Sequence, residues 1–491
     1  MTESTTEGVG GSARNAALAV LALAAALCVI RMTAPADLLD KDQERPASYA
    51  LDVIRNGHWI CQFDWKGAVA SKPPLLTWLI ALASLPGHRV TLLTLYLPSA
   101  VAMTGLALLI CRVGSRHFGP RAGLFGGLLF LLAPLSVRLL ILVRTDALFS
   151  FSGARAAFAA FYAGERGKGW TWFWLAAALA TLTKGPLGVA FAISGLFAVL
   201  WERRGPEPMP LRGNQAFGIA LFLIMTVGWF VMAYRVVGDG LIDKMIRSEI
   251  IEQSLQNPHA DPFYQRLIFP ILYFIHRNLP ASLLALVAFV RLIRWPAADP
   301  RERRMERFLF CWFWIGLLIL SLGQHQRADL VAPIIAPAAL LAGRELDRWM
   351  RCFVPRYVAM ASGACVAAAL AHFAVYYHLV VPREEPVIRT AQVREFADEL
   401  RGTVGGDFPF IHVDDPFLLQ FYLNTMRERV RCREARVLLA GNAPAFAVVR
   451  AKGDDMTCIL DNTSNVYEVA RCPRTGEPYI RILGNRPTME R

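Results

Sequence analysis

Of the 491 residues, 55% are hydrophobic and 19% are charged, against about 25% charged in ordinary soluble domains, and the mean hydropathy is +0.37. Such a chain is too apolar to be disordered, a soluble nucleic-acid binder or a disulfide-stapled mini-protein, which leaves a polytopic membrane protein. The net charge of +13 has a location as well as a size: residues 383–491 hold sixteen basic and sixteen acidic residues, so the whole excess lies earlier, between apolar runs, as the positive-inside rule distributes it.

In chain order, a polar start over residues 1–14 precedes apolar runs at 15–31, 91–111, 122–141, 147–163, 169–183, 186–201, 215–235, 267–292, 307–323, 328–343 and 354–381. Runs of about 17–25 apolar residues are long enough to cross a bilayer, and the pattern predicts about 11 transmembrane helices. The intervening segments alternate in character. Arg112, Arg116 and Arg121 lie in one, then Arg166 and Lys168, then Arg203, Arg204 and Arg212. The richest holds Arg291, Arg294, Arg301, Arg303, Arg304 and Arg307, and Arg344, Arg348, Arg351 and Arg356 complete the set. Placing all of these in the cytoplasm gives consistent parity. The amino terminus is then inside, and 32–90, 236–266 and everything after 381 are outside. A cleaved signal peptide is the alternative for the first run, with Arg14 before it and small residues near Ala34–Ala36; the parity of the later runs favours a span.

The organisation expected is therefore a cytoplasmic start (1–14), a transmembrane domain (15–381) and an outer domain (382–491). In that tail, Ile388–Leu400 has helical spacing and ends near Gly402, and Pro409–Val413, Arg436–Leu439, Phe446–Val449 and Tyr479–Leu483 read as strands, which predicts a small α/β domain. The nine cysteines form no zinc pattern. Cys432, Cys458 and Cys472 in the tail, with Cys61 in the first outer loop, leave one tail disulfide open without a pairing.

The first outer loop carries the strongest signal. Pro46–Arg55 places Tyr49, Val53 and Ile54 on one face, as an interfacial helix does. Asp40, Asp42 and Glu44 stand just beyond the first span. They read either as solvated acids or as a carboxylate held to orient or deprotonate an acceptor. Lys72-Pro73-Pro74 opens an apolar helix, where a cation opposes the helix dipole unless an anion is near; snorkelling to the interface is the other account. Arg144-Thr145-Asp146 stands at the outer end of a span, where charge is costly unless partnered, although Asp146 also suits a first helical turn. Lys184-Gly185-Pro186 ends another span, and a lysine there also suits the helix dipole. All these groups fall on the same side, where one basic pocket would suit a phosphate-bearing lipid.

The segments Asp42-Gln43-Glu44-Arg45, Asn56-Gly57-His58-Trp59 and Lys72-Pro73-Pro74-Leu75 resemble the first-loop signature of polyprenyl-phosphate-dependent glycosyltransferases. This is the GT-C fold superfamily of aminoarabinose lipid A transferase and, more distantly, protein O-mannosyltransferases. Arg144-Thr145-Asp146 and Leu182-Thr183-Lys184-Gly185-Pro186 resemble later motifs in order, Arg327–Pro337 is a weaker match, and the resemblance spans roughly residues 15–345. It implies inverting sugar transfer from a polyprenyl-phosphate-linked donor to an envelope acceptor, a glycan, lipid or protein. It makes Asp42 the catalytic aspartate and assigns Arg45, Lys72, Arg144, Asp146 and Lys184 to substrate binding. The expected site is the periplasmic face of a bacterial inner membrane, since the fragments resemble bacterial relatives. The resemblance also departs at informative places. Gln43 and Pro46 replace an acid and a tyrosine, and Ser71 and Ser248 stand where the aminoarabinose transferases hold a metal with Glu and His. With Glu249 beside it, and Glu252, His259 and Asp261 the remaining candidates, no metal and no other cofactor is expected. A transporter or flippase gripping a lipid phosphate is the alternative from another class, and a partner-binding scaffold is a third.

Overall fold

A computed structural model describes residues 3–36, 38–39, 42–203, 211–252, 261–324, 326–405, 408–414, 416–452, 454–460 and 466–489. Two compact units divide the chain. The first comprises Met1–Thr33, Ser71–Leu76 and Tyr96–Ala374, and the second comprises Ala34–Ala70, Thr77–Leu95 and Val375–Arg491. Most of the segment between Thr33 and Tyr96 therefore belongs with the tail.

Helix α1 (Glu3–Thr33) starts inside the polar segment and runs through the first apolar stretch. The loop helix α2 (Glu44–Asn56) stops at Gly57, whose φ of 76° is the left-handed cap glycine adopts readily. After the prolines at 73 and 74 come α3 (Leu75–Ser84) and α4 (Leu92–His117). The expected span 122–141 is two helices, α5 (Pro120–Leu132) and α6 (Pro134–Leu140), bent by 71° where Pro134 interrupts the ladder. Then follow α7 (Thr145–Arg166), α8 (Trp170–Lys184), α9 (Leu187–Ser194), α10 (Ala198–Glu202), α11 (Ala216–Val237) and α12 (Asp239–Ile242). The expected span 267–292 is also not straight. It consists of α13 (Phe263–Arg277) and α14 (Ala281–Arg294), bent by 119° on either side of Pro280. Helices α15 (Pro300–Leu322), α16 (Ala332–Met350) and α17 (Pro355–Val375) complete the first unit.

Among the described residues, five helices are long and apolar enough to cross a membrane, or seven when each bent pair counts as one span. The helices at the other expected spans are shorter or carry charge, as α7 does with Asp146, Arg155, Glu165 and Arg166. Small residues set the packing. The Ala-rich faces of α7 and α8 meet over Ala156, Ala160, Phe173 and Ala177, and α5 approaches α16 so closely that a Cβ on Gly343 would lie 2.3 Å from the Gly126 nitrogen. At the ends of α15 and α16 that face away from Asp329, the basic groups do not stand free. Arg344 pairs with Glu302 and Glu306, Arg307 with Glu202 at 2.8 Å, and Arg291 with Glu345 at 2.9 Å.

In the second unit, α18 (Glu385–Val404) extends past the expected stop at Gly402 to Gly405. Next come β1 (Ile411–Asp414), α19 (Phe417–Leu423), α20 (Cys432–Ala440), β2 (Phe446–Arg450), α21 (Asp454–Leu460), β3 (Tyr467–Cys472) and β4 (Ile480–Gly484). The sheet order is β1-β2-β4-β3, with only β1 and β2 parallel. The expected strand Arg436–Leu439 is helical because its buried residues, Cys432, Ala435 and Leu439, recur at three and four. Strand β3 escaped the sequence because it is an edge strand whose side chains are largely exposed. A disulfide between Cys432 and Cys458 ties α20 to α21.

Candidate functional site

In the first unit, Arg144 precedes α7 with extended backbone (φ −146°, ψ 155°), which releases the helix at Thr145 and puts Asp146 in its first turn, where a carboxylate suits the dipole. Lys184 is the last residue of α8, turned out at Gly185 (φ 78°). These ends converge. Lys184 Nζ lies 2.5 Å from Asp146 Oδ1 and Arg144 Nε lies 3.4 Å from Asp146 Oδ2. Arg144 Nη1 also donates to Asp329 Oδ2 at 2.6 Å, while Arg138 Nη1 on α6 stands 3.3 Å from Asp329 Oδ1. Lys72 adds to the positive field at Asp146. Asp146 and Asp329 are only 2% and 4% exposed, so neither is a solvated surface acid. Three cations bonded to two buried carboxylates, with Lys72 nearby, form a cluster of net positive charge.

Three of the six predicted site residues are thus in direct contact, with Lys72 in electrostatic range. Arg138 and Asp329 were missed. Arg138 is a charge inside an apolar run, a signal in its own right. Asp329 belongs to Arg327-Ala328-Asp329, which repeats the Arg-x-Asp of 144–146. Arg327 likewise has extended backbone (φ −135°, ψ 142°) just before a helical turn, Ala328–Val331.

Asp42 and Arg45 belong to the second unit. Asp42 is exposed and adopts φ 58°, a left-handed conformation that aspartate tolerates at some cost. Immediately after it Gln43 is buried and α2 begins, with Ser48 Oγ donating to the Arg45 carbonyl at 2.8 Å. The loop is anchored beneath by Asp52, 1% exposed, which accepts from the Phe63 amide and Asn56 Nδ2, both at 2.8 Å, and contacts His58 Nδ1 at 3.0 Å. Asn56-Gly57-His58-Trp59 is therefore a structural clasp, closed by Trp78 Nε1 donating to the Trp59 carbonyl at 2.6 Å. Trp65 packs on Phe417 of α19 with centroids 5.4 Å apart, which joins the loop to the tail domain. Half-buried Glu44 has its carboxyl pushed above the usual range by burial, against the opposing fields of Arg450 on β2, Lys66 and Arg45.

Ser71 and Ser248 offer neutral hydroxyls, and among the described residues no three His, Cys, Asp or Glu side chains gather as ligands do. His259 and the side chains of Glu249 and Glu252 lie outside the described residues.

Residues 71–231 match the family described as dolichyl-phosphate-mannose-protein mannosyltransferase. Over 96% of its length the chain superposes on 98% of ArnT from Cupriavidus metallidurans, at 18% identity. The TM-score is 0.72 for the crystal structure bound to undecaprenyl phosphate and 0.70 for the apo form. The chain has the GT-C fold. Two sequence relatives also match the chain. One is an undecaprenyl phosphate-alpha-4-amino-4-deoxy-L-arabinose arabinosyl transferase of Pseudomonas savastanoi, 26% identical over 355 residues, covering 70% of this chain and 64% of that one. The other is a protein of Aquifex aeolicus, 26% identical over 295 residues, covering 59% and 63%. The chain spans a little under two thirds of the length of these two relatives. With this fold and, among the described residues, five to seven spans apolar and long enough to cross a bilayer, it is a multi-pass membrane protein.

Proposed function

We propose that this protein is an inverting glycosyltransferase that moves a sugar from a polyprenyl-phosphate-linked donor to an envelope acceptor on the periplasmic face of the inner membrane. The observation that carries the reading is the buried, net-positive cluster of Arg144, Asp146 and Lys184, with Lys72 in range, in a fold shared with a structure bound to undecaprenyl phosphate. An acceptor oxygen attacks the anomeric carbon, the bond from that carbon to the phosphate oxygen breaks, and polyprenyl phosphate leaves. By the first-loop motif it belongs to, Asp42 takes the role of orienting the acceptor and accepting its proton, and Arg45 that of a phosphate-binding cation. Within the first unit, Lys72 and Arg144 stabilise charge on the departing phosphate, while Asp146 and Lys184 hold the cations in place. No step uses a metal, in keeping with Ser71 and Ser248. The tail disulfide between Cys432 and Cys458 supports an oxidising outer side.

The test is donor consumption by purified full-length protein in lipid, using a panel of polyprenyl-phosphate sugars and acceptors. Asp42→Asn is expected to lower turnover by about 10²–10⁴-fold with donor binding retained. Turnover of the variant at the wild-type rate would remove Asp42 from the chemistry. Donor bound by both proteins and consumed by neither would favour a lipid-phosphate transporter.

A further inference from the structure

Arg144 is shared between two carboxylates that come from separate parts of the chain, and the second of them has no part in the roles above. Asp329 begins a short helical turn before α16 and is 4% exposed. Its Oδ2 accepts from Arg144 Nη1 at 2.6 Å, and its Oδ1 faces Arg138 Nη1 at 3.3 Å. Arg144 in turn reaches Asp146 through Nε at 3.4 Å, and Asp146 holds Lys184. The guanidinium is a rigid planar fork, so contacts on both Nε and Nη1 define its plane, and its remaining donor edge with it.

Without Asp329, Arg138 and Arg144 are two like charges at a partly buried site with no carboxylate between them, and they separate. We propose that Asp329 is a positioning residue that, clamped by Arg138, aims Arg144 at the anionic group of the lipid donor. The two Arg-x-Asp turns, 144–146 and 327–329, then work as one cradle built from α6, α7, α8 and the turn before α16. This rests on the proposed use of a polyprenyl-phosphate donor.

The inference makes a prediction opposite to that of simple charge counting. Removing a negative charge beside an anion site strengthens anion binding if field alone matters, and weakens it if geometry matters. The probe is undecaprenyl phosphate titrated into full-length protein in lipid nanodiscs, with the thermal midpoint recorded for each variant. Asp329→Asn is expected to weaken binding by at least about tenfold. Asp329→Glu, which restores the carboxylate, should bind within about threefold of wild type. The double variant Arg138→Gln with Asp329→Asn relieves the repulsion; it should recover any lost thermal midpoint but not the affinity.

Equal or tighter binding by Asp329→Asn overturns the proposal, as does affinity that returns with the midpoint in the double variant. Wild-type protein that does not bind undecaprenyl phosphate overturns it too. Should wild type bind, Asp329→Asn bind weakly and no donor be consumed, the positioning role stands and the transfer reading falls.

Discussion

Burial of Glu44 works against its ionised form, and three cations nearby do not fully offset it. The folded state therefore holds this proton more tightly than the unfolded chain does. The sign follows from linkage: the group's contribution to stability is present below the ordinary glutamate range and is lost as the pH rises through the raised folded value. Glu44→Gln removes that loss. Its thermal midpoint should exceed that of wild type at neutral pH and coincide with it at about pH 4. A variant less stable than wild type at neutral pH would mean that Arg450, Lys66 and Arg45 outweigh burial. At this scale the sequence was informative where charge met apolar surroundings. Arg144 and Asp146 stood out for that reason, Lys184 entered through resemblance, and Arg138 satisfied the same test unnoticed. Asp42, in a left-handed turn, could be singled out only by resemblance, because nothing in a run of loop acids distinguishes one from another.

Helix α5 meets α16 through backbone, and the reason is a pair of glycines. A methyl on Gly343 would lie 2.3 Å from the Gly126 nitrogen, whereas one on Gly153 of α7 would meet nothing within 4 Å. Gly343→Ala is expected to cost about 1–3 kcal/mol through overpacking, and Gly153→Ala, the control, should be neutral or slightly stabilising. Equal midpoints for the two variants would mean that the α5–α16 contact yields without cost. The helices themselves were legible, but their bends were less so. Pro134 and Pro280 sit in runs apolar enough to read as continuous spans, and the angles of 71° and 119° depend on what packs around each break. In the tail, periodicity was misread over only four residues at Arg436–Leu439, too short a window to separate a period of two from one of 3.6.

On the scale of the molecule, sidedness is the property most open to direct measurement. Cys352 is exposed, whereas Cys61 and Cys472 are buried and burial pushes their thiols up, that of Cys61 to about 11. Thiolate is the reactive form, so both of these buried cysteines should be inert near neutral pH. With a membrane-impermeant maleimide, Cys352 is expected to stay unlabelled in intact cells and to label after permeabilisation. Cys61 and Cys472 should stay unlabelled in both. Labelling of Cys352 in intact cells would invert the proposed orientation.

Composition and the spacing of apolar runs were enough to establish a polytopic membrane protein with a small α/β tail, because burial in lipid demands long apolar stretches whatever the partners. The same spacing placed Arg144, Asp146 and Lys184 at helix ends, since a charge in a span is tolerated only there or against a partner. Only the tertiary structure decided that Asp329, 183 positions after Asp146, shares an arginine with it. It also decided that the segment after α2 packs with the tail through Trp65 and Phe417. Contacts between residues far apart in the chain leave no periodicity behind, and one sequence records which groups are costly to bury without recording which partner each one meets.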